Sequence, residues 1–338
     1  MRVERTRLFS RGCDAVAALL GALNLSGGQG VLVPTYLCGE VIDVFDSARV
    51  PVTLYAVDAR GRLDPDEIAN KITSEIRAIY VVHYFGFPQD MHRLRRIADA
   101  AGIVLIEDCA HALFGRFDDR WLGEFGDAAV FSLRKTLPLP DGGALVLNDR
   151  RLLAPATAAK IPAAITAKRT ARLLAKALLL QLRWRPGQQS AVNVSPKPPV
   201  GGFEGTTAVH AMSGTAEWLY RRADVEQITA RRRANFTAYL ERLREVALYQ
   251  ELPPGVVPFS FPILVDRRDD VAARLASIGL PLNMGFPEAP VVTNLATVGD
   301  TDLSGARFLA SRVLELPVHQ DINSRDLETV IELYNQVH

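Results

Sequence analysis

The sequence contains few cysteines and no apolar leader. Three cysteines occur in 338 residues, Cys13, Cys38 and Cys109, an odd number without the spacing of a metal site. The amino-terminal stretch MRVERTRLFSRG lacks the apolar core of a signal peptide. These absences predict a protein of the reducing cytoplasm, with neither structural disulfides nor a bound metal ion.

The sequence also lacks a large excess of positive or negative charge. The formal net charge is +1, 23% of the residues are charged and 48% are hydrophobic. This composition is that of an ordinary globular protein, and it gives no support to a nucleic-acid partner or a disordered chain. The length is sufficient for one large domain with a smaller one attached.

One segment, residues 151–203, contains no aspartate or glutamate, although it carries nine lysines and arginines. Within it, residues 167–184 (AKRTARLLAKALLLQLRW) have leucines on one face and basic residues on another, as in a basic amphipathic helix. This stretch is too short and too charged to span a bilayer. Three interpretations stay open: the rim of a cleft that attracts an anionic substrate such as a nucleotide-linked sugar, peripheral contact with an anionic membrane, and packing in a dimer.

Short β-branched runs alternate with helical patterns along the first half of the chain. The runs that resemble strands are 31–34, 51–58, 76–83, 102–108, 128–133 and 143–149. The helical patterns between them are 13–25, 39–48, 63–72 and 90–102. This alternation predicts βαβ units and an α/β fold with a large, doubly wound, mostly parallel sheet.

The last third of the chain predicts a smaller C-terminal α/β domain. A strand (256–266), a helix (268–280) and a second strand (281–286) are followed by helices near 303–314 and 324–337. A long charged helix around 216–247 would join the two domains. We therefore place the large domain at 1–225 and the linking helix with the small domain at 226–338.

Unusual polar residues occur in three short stretches, of which the first opens a predicted helix and the other two follow predicted strands. They lie in RGCD (11–14), EDCAHA (107–112) and SLRK (132–135), which would converge at the carboxyl edge of a parallel sheet. Gly12 is compatible with two interpretations: a phosphate site at the start of a helix, or a plain turn. A buried Asp108 needs a cationic partner, or else serves as a helix cap or in a buried salt bridge.

One ligand would use all three sites together. Pyridoxal 5′-phosphate (PLP) forms a Schiff base with a lysine, needs an anion beside its pyridinium nitrogen, and needs donors for its phosphate. Lys135, Asp108, and Ser132 with Gly12 have the chemistry for these three roles.

With these residues the chain resembles the DegT/DnrJ/StrS sugar aminotransferases, a family of fold-type-I PLP enzymes. The most specific stretches are IEDCAHALFG together with GDAAVFS and DGG around the lysine. The resemblance implies that Asp108 holds the pyridinium nitrogen, that His111 contacts the ring hydroxyl and that Lys135 is the Schiff-base lysine. The full set of supporting stretches is 27–45, 81–115, 122–132, 139–149, 231–243 and 314–328.

The resemblance also implies an activity and a partner. Such enzymes transfer an amino group from an amino acid, often glutamate, to a keto group on a small-molecule sugar that is commonly nucleotide-linked, and they act as homodimers. Two alternatives stay open: a PLP-dependent sugar dehydratase, against which Lys135 counts because those members carry histidine there, and a non-catalytic regulatory relative.

Several residues depart from the family pattern. Lys135 lies three residues after Ser132 rather than five, which we interpret as a two-residue deletion. The usual Ser-Gly-Thr of the phosphate site is Arg11-Gly12-Cys13, so that a thiol replaces a hydroxyl, and Arg11 either pairs with the phosphate or lies at the surface. Cys38 stands where many members have a ring-stacking aromatic residue.

The sequence leaves the roles of three further residues open, and one element of the family is missing. His83 and Tyr84 match the family's H-x-Y-G region, but they are equally interpreted as packed structural residues. His319 is predicted to lie between two helices and to act as a cap. The family's G-x-N-x-R element, which reaches the neighbouring subunit's phosphate, is not recognisable.

Overall fold

The computed structural model describes residues 5–153, 157–183, 209–280, 282–290 and 296–337, without the side chains of 176–183. Its main feature is an eight-stranded sheet in the order β1-β9-β8-β5-β4-β2-β3-β11. The strands are β1 (Thr6–Phe9), β2 (Gly30–Pro34), β3 (Val52–Tyr55), β4 (Ile76–Val82), β5 (Val104–Asp108), β6 (Arg116–Phe117), β7 (Arg120–Trp121), β8 (Ala128–Phe131), β9 (Gly143–Leu147), β10 (Ser260–Leu264), β11 (Ala296–Thr297) and β12 (Val313–Pro317).

The central strands of this sheet are parallel. Strands β11, β3, β2, β4, β5 and β8 pair in parallel, whereas β9 pairs antiparallel with both β8 and β1. Their apolar runs are buried on both faces: along β2, Val31 and Val33 pack into one hydrophobic core and Leu32 into the other. This confirms the predicted α/β fold class with a doubly wound, mostly parallel sheet.

Helices cover both faces of the sheet. Residues of α1 and α2 pack in one core, and residues of α3 and α4 pack in the other. Side chains of Asp64, Asp90, Ser213 and Asp224 cap the amino-terminal ends of four helices. The helices are α1 (Gly12–Leu23), α2 (Gly39–Ser47), α3 (Pro65–Asn70), α4 (Met91–Ala101), α5 (Ala163–Arg183), α6 (Gly214–Tyr220), α7 (Val225–Leu243), α8 (Arg268–Ser277), α9 (Ser304–Arg312) and α10 (Ser324–Val337).

The C-terminal third differs from the sequence-based expectation in its strands. The predicted strand 281–286 is wrong for the residues described, since 282–286 contribute only an isolated bridge between Asn283 and Glu315. A positive φ of 61° at Gly285 bends the chain there. The strand that pairs antiparallel with β10 is instead β12, whose residues up to Leu316 are buried.

Two further boundaries are corrected. The long helix predicted around 216–247 is broken between α6 and α7, because Asp224 starts a new helix by accepting a hydrogen bond from the N–H of Gln227. His319 lies between a strand and a helix rather than between two helices, and its Nδ1 is 3.1 Å from Oδ2 of Asp321. Asn323 accepts from the N–H of Asp326 at the start of α10.

The basic stretch predicted as a helix, residues 167–184, falls within α5 up to Arg183, and residue 184 lies outside the described residues. Arg172 and Leu174 of this helix are exposed. Among the described residues, no helix combines the length and the apolar character needed to cross a membrane.

Candidate active site

Lys135 and His111 meet at the carboxyl edge of the parallel sheet. Lys135 ends a single 3-10 turn, Leu133–Lys135, directly after β8, and His111 follows β5. The Nζ atom of Lys135 lies 2.9 Å from Nε2 of His111. Lys135 is half-buried and His111 is buried. The structure therefore brings these two sequence-predicted residues into direct contact.

The imidazole of His111 is held in its neutral form. Burial lowers its pKa well below the ordinary value, and the positive charge of Lys135 lowers it further. Nδ1 of the same ring lies 3.4 Å from the N–H of Phe85. Because a neutral imidazole has one acceptor and one donor, it can accept from a Lys135 ammonium at Nε2 or from Phe85 at Nδ1, but not from both.

Two phenylalanines of the C-terminal third enclose the His111 ring. Phe259 stacks on it with ring centroids 4.4 Å apart and planes at 11°, and Phe286 lies 5.7 Å away at 27°. The main-chain N–H of Phe259 donates to the carbonyl of Phe85, which fixes this part of the chain beside the sheet edge. The C-terminal residues thus form one wall of the site.

The lowered pKa of His111 predicts a pH-dependent stability. Since the unfolded imidazole titrates near about 6.5, the stabilisation is present above that pH and is lost as the pH falls below it. For the cofactor-free protein we expect the free energy of unfolding to fall between pH 7 and pH 5. His111→Gln should remove up to about 1.4 kcal/mol per pH unit of this slope, measured by urea unfolding. Equal slopes in the two proteins would contradict a neutral His111.

Asp108 is a buried carboxylate at the end of β5. Its side chain is 6% exposed. Oδ2 accepts a hydrogen bond from the hydroxyl of Tyr80 at 2.8 Å, and Oδ1 accepts from the N–H of Ala110 at 2.8 Å. Within the described residues Asp108 caps no helix and forms no salt bridge, so neither alternative interpretation from the sequence explains its burial. A buried carboxylate without a cationic partner among the described residues favours the binding of a cationic ligand group.

Tyr80 is a contributor that sequence patterns did not single out. Burial raises its pKa well above the ordinary value, and the charge of Asp108 raises it further, so its hydroxyl stays protonated and donates. Its ring packs edge to face against Phe45 at 5.8 Å. Tyr80 thus orients one oxygen of Asp108.

Tyr80→Phe removes this hydrogen bond without creating a large cavity. We expect turnover and PLP affinity to fall by roughly tenfold, since a hydrogen bond to a charged group contributes about 1.5–3 kcal/mol. Tyr55→Phe is the matched control, because the buried Tyr55 hydroxyl donates to the carbonyl of Tyr80 at 2.8 Å rather than to Asp108. If both variants alter PLP affinity equally, in a spectroscopic titration, Tyr80 has no specific effect on Asp108.

The start of α1 adjoins Ser132. A Cβ added to Gly12 would lie 3.2 Å from Cβ of Ser132, so these two predicted residues of a phosphate site are neighbours. Arg11 precedes the helix, and its Nη2 pairs with Oδ1 of Asp14 at 3.3 Å. The Oγ of Ser10 also donates to Asp14, at 2.8 Å. The unpaired N–H groups at this helix end suit an anion.

Cys13 and Cys38 both lie close enough to Lys135 to be affected by its charge. Burial is the main cause that raises the pKa of Cys13 to about 12, and it also raises the pKa of Cys38. Sγ of Cys13 is 3.7 Å from Oε2 of Glu40. Both residues are therefore neutral thiols at pH 7, which are weak hydrogen-bond donors.

His83 is a structural residue. Its fully buried ring contacts Oε2 of Glu107 at 3.2 Å and accepts from the N–H of Gln89 at 3.3 Å. The Glu107 carboxylate also accepts from the main-chain N–H groups of Gly123, Phe125 and Gly126. Cys109 lies in the same cluster, in which potential ligand atoms are within 4.8 Å of one another. The hydrogen bonds of Glu107 account for this cluster without a metal ion.

Tyr84 is packed and donates to the carbonyl of Tyr36.

A sequence model of the DegT/DnrJ/EryC1/StrS aminotransferase family matches residues 5–179 and 215–334. The chain belongs to this family. This confirms the resemblance that the motifs around Asp108 and Lys135 indicate.

The named relatives of this chain include a GDP-perosamine synthase and a dTDP-amino-sugar transaminase. GDP-perosamine synthase of Escherichia coli O157:H7 is 31% identical over 153 residues, which is 44% of this chain and 42% of that protein. The dTDP-3-amino-3,4,6-trideoxy-alpha-D-glucose transaminase of Micromonospora megalomicea subsp. nigra is 27% identical over 342 residues, 95% of this chain and 83% of that protein. The match to the first of these relatives spans about two fifths of its length.

Solved structures of the same fold cover nearly the whole chain. A DegT/DnrJ/EryC1/StrS aminotransferase from Brucella abortus has a TM-score of 0.72 at 21% identity, covering 98% of this chain and 86% of that one. The NtdA protein of Bacillus subtilis, solved with bound cofactor PMP, has a TM-score of 0.69 at 21% identity, covering 98% and 73%. These similarities confirm the fold-type-I architecture.

Proposed function

We propose that this chain binds PLP through Lys135 and catalyses amino transfer to a keto sugar. The observation that carries the proposal is Asp108: a buried carboxylate, without a cationic partner among the described residues, at the same sheet edge as Lys135. The pyridinium nitrogen of PLP is a cation that would compensate the cost of burying this charge.

The residues present fit the whole cofactor. Lys135 would form the Schiff base, Asp108 would hold the protonated ring nitrogen and His111 would contact the ring hydroxyl. The phosphate would lie at the start of α1, beside Gly12 and Ser132, where the close approach of the two residues leaves no room for a larger side chain. Cys13 offers this phosphate only a weak thiol donor, and Cys38 offers the ring no aromatic surface.

When bound, PLP supplies an electron sink for the pair released from the donor's Cα–H bond. The amino acid loses its amino group and becomes a 2-oxo acid, and the keto group of the acceptor becomes an amine. Lys135 would serve as the general base and acid that moves the proton between the donor's Cα and the cofactor. His111 is neutral and 2.9 Å away, so it can position the Lys135 amine without adding a competing charge.

The acceptor that we propose is a nucleotide-linked keto sugar, with glutamate as the amino donor. Two of the named relatives are a GDP-sugar enzyme and a dTDP-sugar enzyme. The composition of the acid-free segment 151–203, of which 154–156 and 184–203 lie outside the described residues, supports an anionic acceptor, because positive charge attracts a diphosphate. Contact of α5 with an anionic membrane is the competing interpretation, and cosedimentation with anionic vesicles would detect it.

We also propose a homodimer whose active sites lie near the subunit boundary. The cup at the start of α1 has few strong donors in this chain, since Cys13 replaces a hydroxyl residue, and a neighbouring chain could provide others. Analytical ultracentrifugation at working enzyme concentrations is the test. A fully active monomer would contradict a shared site.

The experiment for the activity separates the two halves of the reaction. The PLP-loaded protein is mixed with glutamate in the absence of an acceptor, and 2-oxoglutarate is quantified while the absorption of the bound cofactor is recorded. We expect one equivalent of 2-oxoglutarate for each bound cofactor, followed by amine formation when a nucleotide-linked keto sugar is added. A protein that binds PLP but releases no 2-oxo acid from glutamate or from any other amino acid would favour the non-catalytic alternative. Release of water from the sugar without amine formation would favour the dehydratase.

A further inference from the structure

Arg232 is a buried arginine whose hydrogen bonds go to neutral oxygens. It lies on α7 and is 1% exposed. Its guanidinium forms four hydrogen bonds, three to main-chain carbonyls and one to the side-chain amide of Gln320. Within the described part of the chain it forms no ion pair. A buried charge without a carboxylate partner costs stability, so packing alone does not explain an arginine at this position.

The guanidinium of Arg232 keeps its charge at neutral pH. Burial lowers its pKa to about 10, and the charge of Asp321 acts in the opposite direction. Hydrogen bonds from a charged donor are shorter and stronger than those from a neutral one. Arg232 is therefore suited to holding several carbonyls in place at once.

The first set of hydrogen bonds leads to the turn that bears Lys135. Nη2 of Arg232 donates to the carbonyl of Thr136, the residue directly after Lys135, at 3.2 Å. Nε2 of Gln320 donates to the same carbonyl at 3.1 Å, and Oε1 of Gln320 accepts from Nε of Arg232 at 3.1 Å. Two donors thus fill both lone pairs of the Thr136 oxygen and fix the peptide that follows Lys135.

The second set leads to the aromatic wall over His111. Nη1 of Arg232 donates to the carbonyls of Pro258 and Phe259, at 3.2 and 3.0 Å. The ring of Phe259 stacks on His111, whose Nε2 is 2.9 Å from Nζ of Lys135. The same guanidinium therefore holds backbone on both sides of the contact between Lys135 and His111.

We propose that Arg232 is a positioning residue, which holds the peptides of Thr136 and Phe259 at a fixed separation and so keeps the Lys135 amine in register with His111. A guanidinium suits this role because its planar fork donates in several directions, whereas an ammonium donates from one atom. Lys135 ends a single 3-10 turn, so its placement depends on such outside contacts. The inference rests on the proposed function, in which Lys135 binds PLP.

Three variants remove parts of this arrangement. Arg232→Met removes every donor while keeping a side chain of similar length. Arg232→Lys keeps the charge and donates from one atom, so it can serve only one of the two sets of carbonyls. Gln320→Leu removes one donor to Thr136 and leaves both Nη groups of Arg232 in place, and it is the variant to use if Arg232→Met does not fold.

Arg233→Met is the matched control. Arg233 is the next residue of α7, and it also donates to main-chain carbonyls, those of Pro253 and Val256, at 3.0 and 2.6 Å. Its loss removes the same kind of hydrogen bond without touching the Lys135 turn or Phe259. A general loss of stability would therefore affect this control as well.

Two measurements are made well below the melting temperature of each variant. Amide hydrogen exchange of the cofactor-free protein reports how firmly residues 133–137 are held. The rate constant for imine formation between Lys135 and pyridoxal reports how the amine is placed, and it is independent of the phosphate site because pyridoxal has no phosphate. The rate of 2-oxoglutarate release from glutamate, on PLP-loaded protein, gives kcat and KM for the donor half-reaction.

For Arg232→Met we expect amide exchange in 133–137 to be at least about tenfold faster and imine formation at least about tenfold slower, with a lower kcat and an unchanged KM for glutamate. Gln320→Leu and Arg232→Lys should change in the same direction by less, and Arg233→Met should match the parent.

The proposal is overturned if Arg232→Met, or Gln320→Leu in its place, has the exchange and imine-formation rates of Arg233→Met. Faster exchange with unchanged imine formation would also overturn it, because Arg232 would then stabilise the fold only. If the parent forms no imine at Lys135 with pyridoxal or PLP, the proposed function fails instead, and the exchange comparison still decides whether Arg232 fixes this turn.

Discussion

Lys135→Ala is expected to abolish amino transfer. General acid-base catalysis by a placed amine contributes about 10²–10⁴ in rate, and loss of the covalent attachment adds to this, so we expect at least about a thousandfold loss in kcat. The absorption band of the lysine-bound cofactor should disappear as well. The fold should persist, because the Lys135 side chain is half-buried and, among the residues that the structure describes, its amine forms one hydrogen bond, to His111.

Lys168→Ala is the control for this experiment, since Lys168 is an exposed lysine of α5. It should retain both the cofactor band and the release of 2-oxoglutarate from glutamate, a half-reaction that does not involve the acceptor. Melting curves of the two variants should lie close together, which separates a chemical loss from unfolding. Turnover in Lys135→Ala within a few-fold of the parent would refute the assignment of this lysine.

Asp108→Asn is expected to retain PLP and lose most of the activity. An amide of the same shape can still accept from Tyr80 or Ala110 through its one oxygen, but it carries no charge to keep the pyridinium nitrogen protonated. We expect kcat, measured with saturating PLP, to fall by roughly a hundredfold or more, which corresponds to about 3 kcal/mol of transition-state stabilisation.

Asp119→Asn makes the same chemical change at an exposed position and should have the activity of the parent. The Asp108 variant should also show altered protonation of the bound ring in a pH titration of its absorption. If its activity stays within a few-fold of the parent, another residue holds the ring nitrogen and the role of Asp108 is wrong.

The central sheet could be predicted because its signal is local. Strand β2 is a continuous apolar run, and β4 and β5 are apolar apart from Arg77 in β4 and Glu107 and Asp108 at the end of β5. Burial on both faces of a parallel sheet requires such apolar runs. Strand β1 has only four residues, of which Thr6 and Arg7 are polar or charged and only Phe9 is buried, and its place is fixed by antiparallel pairing with β9 more than 130 residues later. No local pattern carries that information.

The residues of the candidate active site likewise divide into those that local sequence patterns predict and those that depend on long-range packing. Asp108, His111 and Lys135 follow strands that end at one sheet edge, so their convergence follows from the βαβ order. Tyr80 could not be singled out, because within a buried strand it is one apolar residue among others until Asp108 is placed on the adjacent strand. Phe259 and Phe286 reach His111 from the C-terminal third of the chain, through tertiary packing that periodicity does not encode.

Chemical trapping tests the central claim most directly. The protein is incubated with PLP, reduced with borohydride so that any lysine-bound cofactor becomes a stable secondary amine, digested, and mapped by mass spectrometry. The chain has six lysines, so the site of attachment can be assigned without ambiguity. We predict a stoichiometric phosphopyridoxyl group on Lys135 that is lost when glutamate is added before reduction. A label on a different lysine, or no label at saturating PLP, would contradict the account.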